Sequence, residues 1–315
     1  MRQLLPLIFL VACGTASNES NQTTTNTKLK LNTAYFENNR IFFDLPLEGG
    51  DTLHFFTDTG GGKIVKPSAV KKTGLPIERK ESAEGTMQLV DLRPLFEKQQ
   101  LPAPVEAQFL YLKEDGFLKN EDGMLGAIWF ADKAWHFDYL SKALYSVSDI
   151  NWSDLDPAHV VELGFMSNML GKRVTHFPRI PIEVDGQTIQ TLFDTGASIY
   201  LSDSARVHFD GAAVVGGSFI VARIFDQWRE NHPDWTFVKG GDAMVKTDLI
   251  EVPKLKIANY EVGPVWFARR ADTNFDDFMS QWMDQPIEGA IGGSAFQYFK
   301  TVLIDYPAEK AWFER

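Results

Sequence analysis

The tripeptide Asp-Thr-Gly occurs twice, at Asp58-Thr59-Gly60 and at Asp194-Thr195-Gly196, one copy in each half of the 315-residue chain. Each copy follows a short apolar run, HFFT in the first half and QTLF in the second. A single aspartate in a turn is ordinary. Two aspartates in matching turns can do chemistry when the chain folds them together. Carboxyls at contact distance share one proton, because two like charges that close cannot both form cheaply. The ionised partner can take a proton from a water while the protonated partner donates to a carbonyl oxygen. That is general acid–base hydrolysis, without a metal or a covalent intermediate. The pair titrates as a unit, so the proton is assigned to neither Asp58 nor Asp194. Gly60 and Gly196 let each turn bend sharply and approach its counterpart.

The elements that must position these turns are themselves repeated. Upstream, IFFDLPLEGGDTLHFFTDTG and IPIEVDGQTIQTLFDTG both read as strand, tight turn, strand. Gly49-Gly50 and Asp185-Gly186 are the hairpin signals. Downstream, residues 123–147 and 289–313 both read as Gly, two apolar residues, Gly, a short helical stretch, a strand, an Asp-Tyr turn and a strand. The Asp-Tyr pairs are Asp138-Tyr139 and Asp305-Tyr306. Between these segments the match is weaker. EGTMQLVDL and GGDAMVKTDL read as hairpins, and LPAPVEAQFLYLKED and KLKIANYEVGPVWFARRAD as the strands after them. One β-rich lobe has been duplicated.

From about residue 32 to residue 313 this arrangement resembles the two-lobed aspartic proteases, the pepsin-like and retropepsin-like group. The resemblance implies a mainly β, two-lobed acid-protease fold with its cleft between the lobes. It implies an aspartic endopeptidase in which Asp58 and Asp194 are catalytic and no cofactor is used. Thr59 and Thr195 would bond across the lobe interface and fix the two loops. Met124-Leu125-Gly126 and Ala290-Ile291-Gly292 would back those loops. The substrate would be a peptide or protein segment in extended conformation, pairing with flap backbone as an added strand does. The rival reading is a non-catalytic peptide- or protein-binding lipoprotein on the same fold.

The chain departs from the pepsin-like pattern in two places. Gly61 and Ala197 follow the motifs where Ser or Thr is usual, so a hydroxyl that would bond each carboxylate is missing. Losing it disfavours the charged form, which implies an activity optimum less acidic than pepsin's. Thr57 offers a hydroxyl, but strand alternation points it the wrong way. No Tyr lies between Asp58 and Leu110 to serve as a flap tyrosine. The flap candidates are Gly85-Thr86-Met87 and, in the second half, Gly240-Gly241.

The expected organisation is a signal peptide over 1–12, a lipidated Cys13 with a flexible tether over 13–30, a first lobe over 31–150, a connector over 151–175 and a second lobe over 176–315. The stretch from Leu4 to Ala12 is apolar, follows Arg2, and is too short to span a bilayer. Leu10-Val11-Ala12-Cys13 resembles the lipobox of bacterial lipoproteins, which implies a lipid anchor on Cys13 and a place in the cell envelope. In a Gram-negative host, Gly14 after the cysteine implies the outer membrane, facing the periplasm. Residues 15–28, TASNESNQTTTNTK, are too polar to bury a core. Cys13 is the only cysteine, so no intrachain disulfide can form.

Net charge is −11, which repels phosphate backbones and disfavours a nucleic-acid partner. The six histidines show no paired metal spacing. Asp272, Asp276 and Asp277 read as a solvated acidic loop. Gly60-Gly61-Gly62-Lys63 lacks the spacing of a phosphate loop. SFIVARIFDQWRENHPDW, residues 218–235, has Phe219, Ala222, Ile224, Phe225 and Trp228 at helical spacing. It is expected as a helix inserted in the second lobe, without a first-lobe counterpart.

Overall fold

The computed structural model describes residues 28–82, 85–113 and 116–315. The signal peptide, Cys13 and residues 13–27 of the expected tether lie outside the described residues. The fold is mainly β, with open sheets.

The first half runs β1 (Lys28–Lys30), β2 (Ala34–Glu37), β3 (Arg40–Pro46), β4 (Thr52–Thr57), β5 (Lys63–Val65), α1 (Pro67–Thr73), β6 (Glu78–Ser82), β7 (Gly85–Asp91), α2 (Arg93–Lys98), β8 (Gln108–Tyr111), β9 (Gly123–Leu125), α3 (Ala127–Phe130), β10 (Ala134–Asp138) and β11 (Ala143–Val147). Eight strands form one sheet in the order β2-β3-β4-β9-β5-β8-β7-β6. The β3–β4 hairpin closes at Gly49 and Gly50, whose φ values of 102° and 95° suit residues without a Cβ. Helix α1 starts on Pro67 and stops at Gly74, which is left-handed at φ 67° and returns its N–H to the Val70 carbonyl.

The second half runs β12 (Val160–Glu162), β13 (Arg179–Val184), β14 (Gln187–Phe193), β15 (Ser198–Tyr200), α4 (Asp203–Arg206), β16 (Val214–Gly216), β17 (Ser218–Val221), α5 (Ala222–Asn231), β18 (Phe237–Asp242), β19 (Thr247–Val252), β20 (Leu255–Ile257), β21 (Tyr260–Val262), β22 (Val265–Arg270), β23 (Gly289–Ile291), α6 (Gly293–Phe296), β24 (Thr301–Asp305) and β25 (Lys310–Glu314). A turn of π-helix, Asn274–Met279, precedes β23. Nine strands form a sheet in the order β18-β19-β22-β17-β23-β14-β13-β20-β21. Asp185 and Gly186 take φ 51° and 76°, the left-handed pair that a two-residue hairpin demands.

The two sheet orders match over seven successive strands. The pairs β3 and β13, β4 and β14, β9 and β23, β5 and β17, β8 and β22, β7 and β19, and β6 and β18 hold the same places. Two expectations change as a result. Ser218–Val221 is a central strand, not the first turn of a helix, because it fits between β22 and β23. Helix α5, which follows that strand, corresponds to α1, which follows β5. Ile224, Phe225 and Trp228 are its buried face. Two pieces lack a first-half counterpart: the β20–β21 hairpin at the edge of the sheet, and β15-α4-β16, whose Ile199, Leu201, Ala205 and Val215 cover Leu249 and Ala268.

A third sheet, β1-β11-β10-β24-β25-β12, draws strands from both halves. Its seam is the antiparallel pair β10–β24, with Trp135 opposite Ile304 and Phe137 opposite Val302. Lys28–Lys30, expected within the flexible tether, instead pair with β11, since Leu29 and its neighbours find an open strand edge there. Val160–Glu162, expected within a plain connector, pair with β25. The aromatic core continues through the seam. Phe137 meets Phe193 at 6.4 Å between ring centroids, and Phe193 stacks on Phe296 at 4.5 Å.

Candidate active site

Each Asp-Thr-Gly turn leaves the end of a central strand, β4 or β14, and is gripped by the parallel strand beside it. The Asp58 N–H donates to the Leu125 carbonyl at 3.0 Å, and the Asp194 N–H to the Ile291 carbonyl at 2.9 Å. The glycines after those strands admit no side chain. A Cβ on Gly126 would lie 1.9 Å from the Gly62 carbonyl oxygen, and one on Gly292 would lie 2.5 Å from that of Asp194.

The turns meet across the two halves. The Thr59 hydroxyl donates to the Phe193 carbonyl at 2.8 Å and accepts from the Thr195 N–H at 2.9 Å. The Thr195 hydroxyl accepts from the Thr59 N–H at 3.2 Å. Both threonines are fully buried. Such buried, mutually satisfied bonds fix position tightly, since leaving any member unpaired costs its full desolvation.

This grip sets Asp58 and Asp194 beside each other, close enough for each to shift the other's proton affinity. The Gly60 N–H donates to Oδ1 of Asp58 at 2.8 Å, and the Gly196 N–H to Oδ1 of Asp194 at 3.0 Å. The glycines make the approach feasible. A Cβ on Gly60 would stand 2.7 Å from the Asp194 Cγ, and one on Gly196 would stand 2.1 Å from the Asp58 Cγ. Asp58 and Asp194 are each buried, at 8% exposure. Burial raises the affinity of Asp58 for a proton, against hydrogen bonds from Asp194 and the Gly60 amide that lower it. Asp194 is held well above the ordinary carboxylate range, first by burial and then by the charge of Asp58. The pair is built to share a proton.

No protein-family model and no curated protein matches this chain.

Other predicted site residues are dispersed. Gly85, Thr86 and Met87 open β7 in the hairpin β6–β7. Met87 and Lys80 face a cavity of about 820 Å³ that also borders Gly62. The matching hairpin is β18–β19, but Gly240 and Gly241 are not at its tip. They lie inside β18 at a bulge, with Gly240 at φ 59° and its N–H bonded to Asp248. Gly241 is packed against Leu249, where a Cβ would stand 2.6 Å from Cγ. A Gly-Gly pair marks positive φ, and here that φ makes a bulge rather than a turn. The expected second flap tip at Gly240-Gly241 is therefore corrected.

The hydroxyls near the dyad are engaged elsewhere. Thr57 donates to the Ile41 carbonyl at 2.9 Å, and Ser198 to the Gly196 carbonyl at 2.8 Å. Asp272 and Asp276 are ion-paired with Arg223. Among the described residues no three His, Cys, Asp or Glu side chains are grouped as metal ligands would be. Sequence reasoning missed the walls of the site: Phe117 and Leu118, Arg270, and the π-helical Phe275, Phe278 and Met279. It also gave no role to Tyr139 and Tyr306. Both are buried, with hydroxyls that have no partner among the described residues. Burial raises the pKa of each, and the Asp194 charge adds to the effect on Tyr139. The Asp-Tyr repeat was the signal that could have drawn attention to them.

Proposed function

We propose that this protein is an aspartic endopeptidase of the two-lobed kind, with Asp58 and Asp194 as its catalytic dyad. One observation carries the reading: two buried carboxyls from matching turns sit together across the halves, each against the glycine of the other turn, where burial favours their protonated form. The matching order of the two large sheets around those turns, and the shared sheet beneath, support a two-lobed acid-protease fold.

The reaction follows from the dyad. A water between the carboxyls loses a proton to the ionised one as its oxygen attacks the peptide carbon. The protonated carboxyl donates to the carbonyl oxygen. The C–N bond of the resulting gem-diol then breaks, the nitrogen takes a proton, and the products are a carboxylic acid and an amine. Both carboxyls return to one shared proton. The substrate is an extended peptide or protein segment lying across the cleft. On the N-terminal motif, the enzyme is exported and held at the cell envelope by a lipid on Cys13.

The test is cleavage of denatured casein across pH 3–7, with and without pepstatin. Asp58→Asn and Asp194→Asn should each lose about 10²–10⁴-fold in kcat. Undiminished cleavage by either variant sinks the dyad.

A further inference from the structure

The internal repeat allows the two sides of the site to be compared directly. In the first half, Met124 of β9 stands between Phe56 of β4 and Ile64 of β5. In the second half, Ala290 of β23 stands between Leu192 of β14 and Phe219 of β17. Phe56 and Leu192 each sit two residues before a catalytic aspartate. The surfaces adjoin the carboxyls. A Cβ on Gly61 would meet the Asp58 Oδ2 at 2.5 Å and the Met124 Sδ at 2.6 Å. A Cβ on Gly60 would meet the Asp194 Cγ at 2.7 Å and the Leu192 Cδ2 at 2.8 Å. The same three-strand wall therefore flanks each aspartate.

One wall is covered and the other is open. Leu118 is 3% exposed and packs in a buried cluster with Phe42, Phe56 and Met124. The Phe117 ring lies 5.6 Å from that of Phe56 and 6.1 Å from that of Tyr200 in the second half. The Tyr200 hydroxyl donates to the Phe117 carbonyl at 2.8 Å, and the Lys66 ammonium to the Leu118 carbonyl at 2.9 Å. The segment is pinned across both halves, and the space left beside it is about 120 Å³. On the other side, Leu192, Phe219 and Ala290 border a cavity of about 530 Å³ that reaches Asp194. Only the second volume falls in the range of ordinary binding pockets, roughly 300–1,000 Å³. Its far wall is Phe275, Phe278 and Met279. The one cation among its described lining residues, Arg270, is paired with Asp242 at 2.9 Å and lies over the Phe219 ring at 3.9 Å. The larger 820 Å³ cavity of the first half takes in Ile64, the outer edge of that wall, but neither Phe56 nor Met124 borders it.

We infer that the enzyme selects its substrate on one side of the scissile bond only. A large apolar side chain seats in the Leu192–Ala290–Phe219 pocket. The residue on the opposite side of the bond must be small, because Phe117 and Leu118 already fill the matching wall. This rests on the hydrolase reading above and narrows it to a substrate class: apolar–small junctions in extended peptides.

The test is digestion of a random peptide library, with cut sites read by mass spectrometry. Wild-type protein should enrich Phe, Leu, Met or Tyr about tenfold at one flank of the cut and Gly, Ala or Ser at the other. Leu118→Ala, or Phe117→Ala should the buried variant not fold, should admit large residues at the second flank and leave the first preference in place. Phe278→Ala, an exposed position, should lower the first preference about tenfold. Binding answers the same question without turnover. N-acetyl-phenylalaninamide, followed by NMR, should occupy one site in wild-type protein, with a second appearing in Leu118→Ala. Large residues chosen at both flanks by wild-type protein, or a Leu118→Ala and Phe117→Ala pair that changes neither cut sites nor binding, overturns the inference. If cutting is symmetric while the dyad variants are inactive, only this inference falls. If the dyad variants cut as wild type does, the hydrolase reading falls first.

Discussion

At Gly61 and Ala197 the chain offers no side-chain hydroxyl to its paired carboxyls, and the neighbouring hydroxyls of Thr57 and Ser198 donate to backbone carbonyls instead. A hydroxyl donated to a carboxylate favours the charged form. Ala197→Ser should therefore lower the pKa of the pair. The acid limb of the pH–rate profile should move down by roughly half to one unit, what a net hydrogen bond of about 1 kcal/mol supplies. A limb that stays in place or moves up contradicts that role. The Thr59 hydroxyl makes a sharper case, since it holds a carbonyl and an N–H from the other half. Thr59→Val should cost about 1–3 kcal/mol per group left unpaired and on the order of 10²-fold in kcat through misplaced carboxyls. Thr59→Ser, which keeps the oxygen, should recover most of both. Equal losses in the two variants, by thermal melts and initial rates, would show that bulk and not bonding matters. The residue types at positions 58–60 and 194–196 were legible in the sequence. The partners of the two threonine side chains were not, because those lie more than a hundred residues away.

Among the elements, the hairpin β18–β19 shows where local signals mislead. Gly240-Gly241 reads as a tip, but the bulge it makes turns Asp242 inward. Asp242 is 1% exposed and pairs with Arg270, whose guanidinium lies over Phe219 in the wall of the open pocket. Burial lowers the Arg270 pKa, while Asp242 opposes that by its charge. Removing one partner of a buried pair strands the other charge, at about 3–5 kcal/mol. Asp242→Ala should lower stability by that amount, whereas Asp242→Leu with Arg270→Met should recover most of it. A chemical-denaturation series decides, and an Asp242→Ala variant as stable as wild type would remove Arg270 from the account of the pocket. The helix over residues 218–235 errs the same way. Its periodicity is real from Ala222 onward, but Phe219 and Ile220 obey the alternation of a strand held on both edges.

Across the whole molecule, one sheet joins strands of both halves, and a buried carboxyl beside another acid opposes folding wherever it would be charged. The Asp194 carboxyl is raised in the folded state by burial and by Asp58. Below the ordinary carboxylate pKa both folded and unfolded chains hold that proton, and no penalty exists. As pH rises past that value the unfolded chain releases the proton while the folded one keeps it, so stability falls until the folded pKa is passed. Asp194→Asn cannot titrate. Its melting temperature should match wild type near pH 3 and exceed it at pH 7 by at least roughly 2 °C, the shift that ~1 kcal/mol makes in a chain of this size. A gap that closes as pH rises would show that the carboxyl is not raised. Stability gained where the reaction is lost is the expected signature of a site that stores unfavourable electrostatics for use.

The amino-acid order by itself determined that two acidic turns would end two apolar strands, and that each would be followed by an apolar-apolar-Gly strand, a short helix and a hairpin. Those features rest on short-range rules: positive φ at glycine, strand alternation and tight-turn chemistry. Only the tertiary structure decided which sequence-matched wall is open and which is filled. Phe117 and Tyr200 meet across the two halves, and the Asn38–Asn39 turn closes against Gly216 and Gly293. Contacts between segments so far apart are set by the shape of the packed surfaces, which no local pattern encodes.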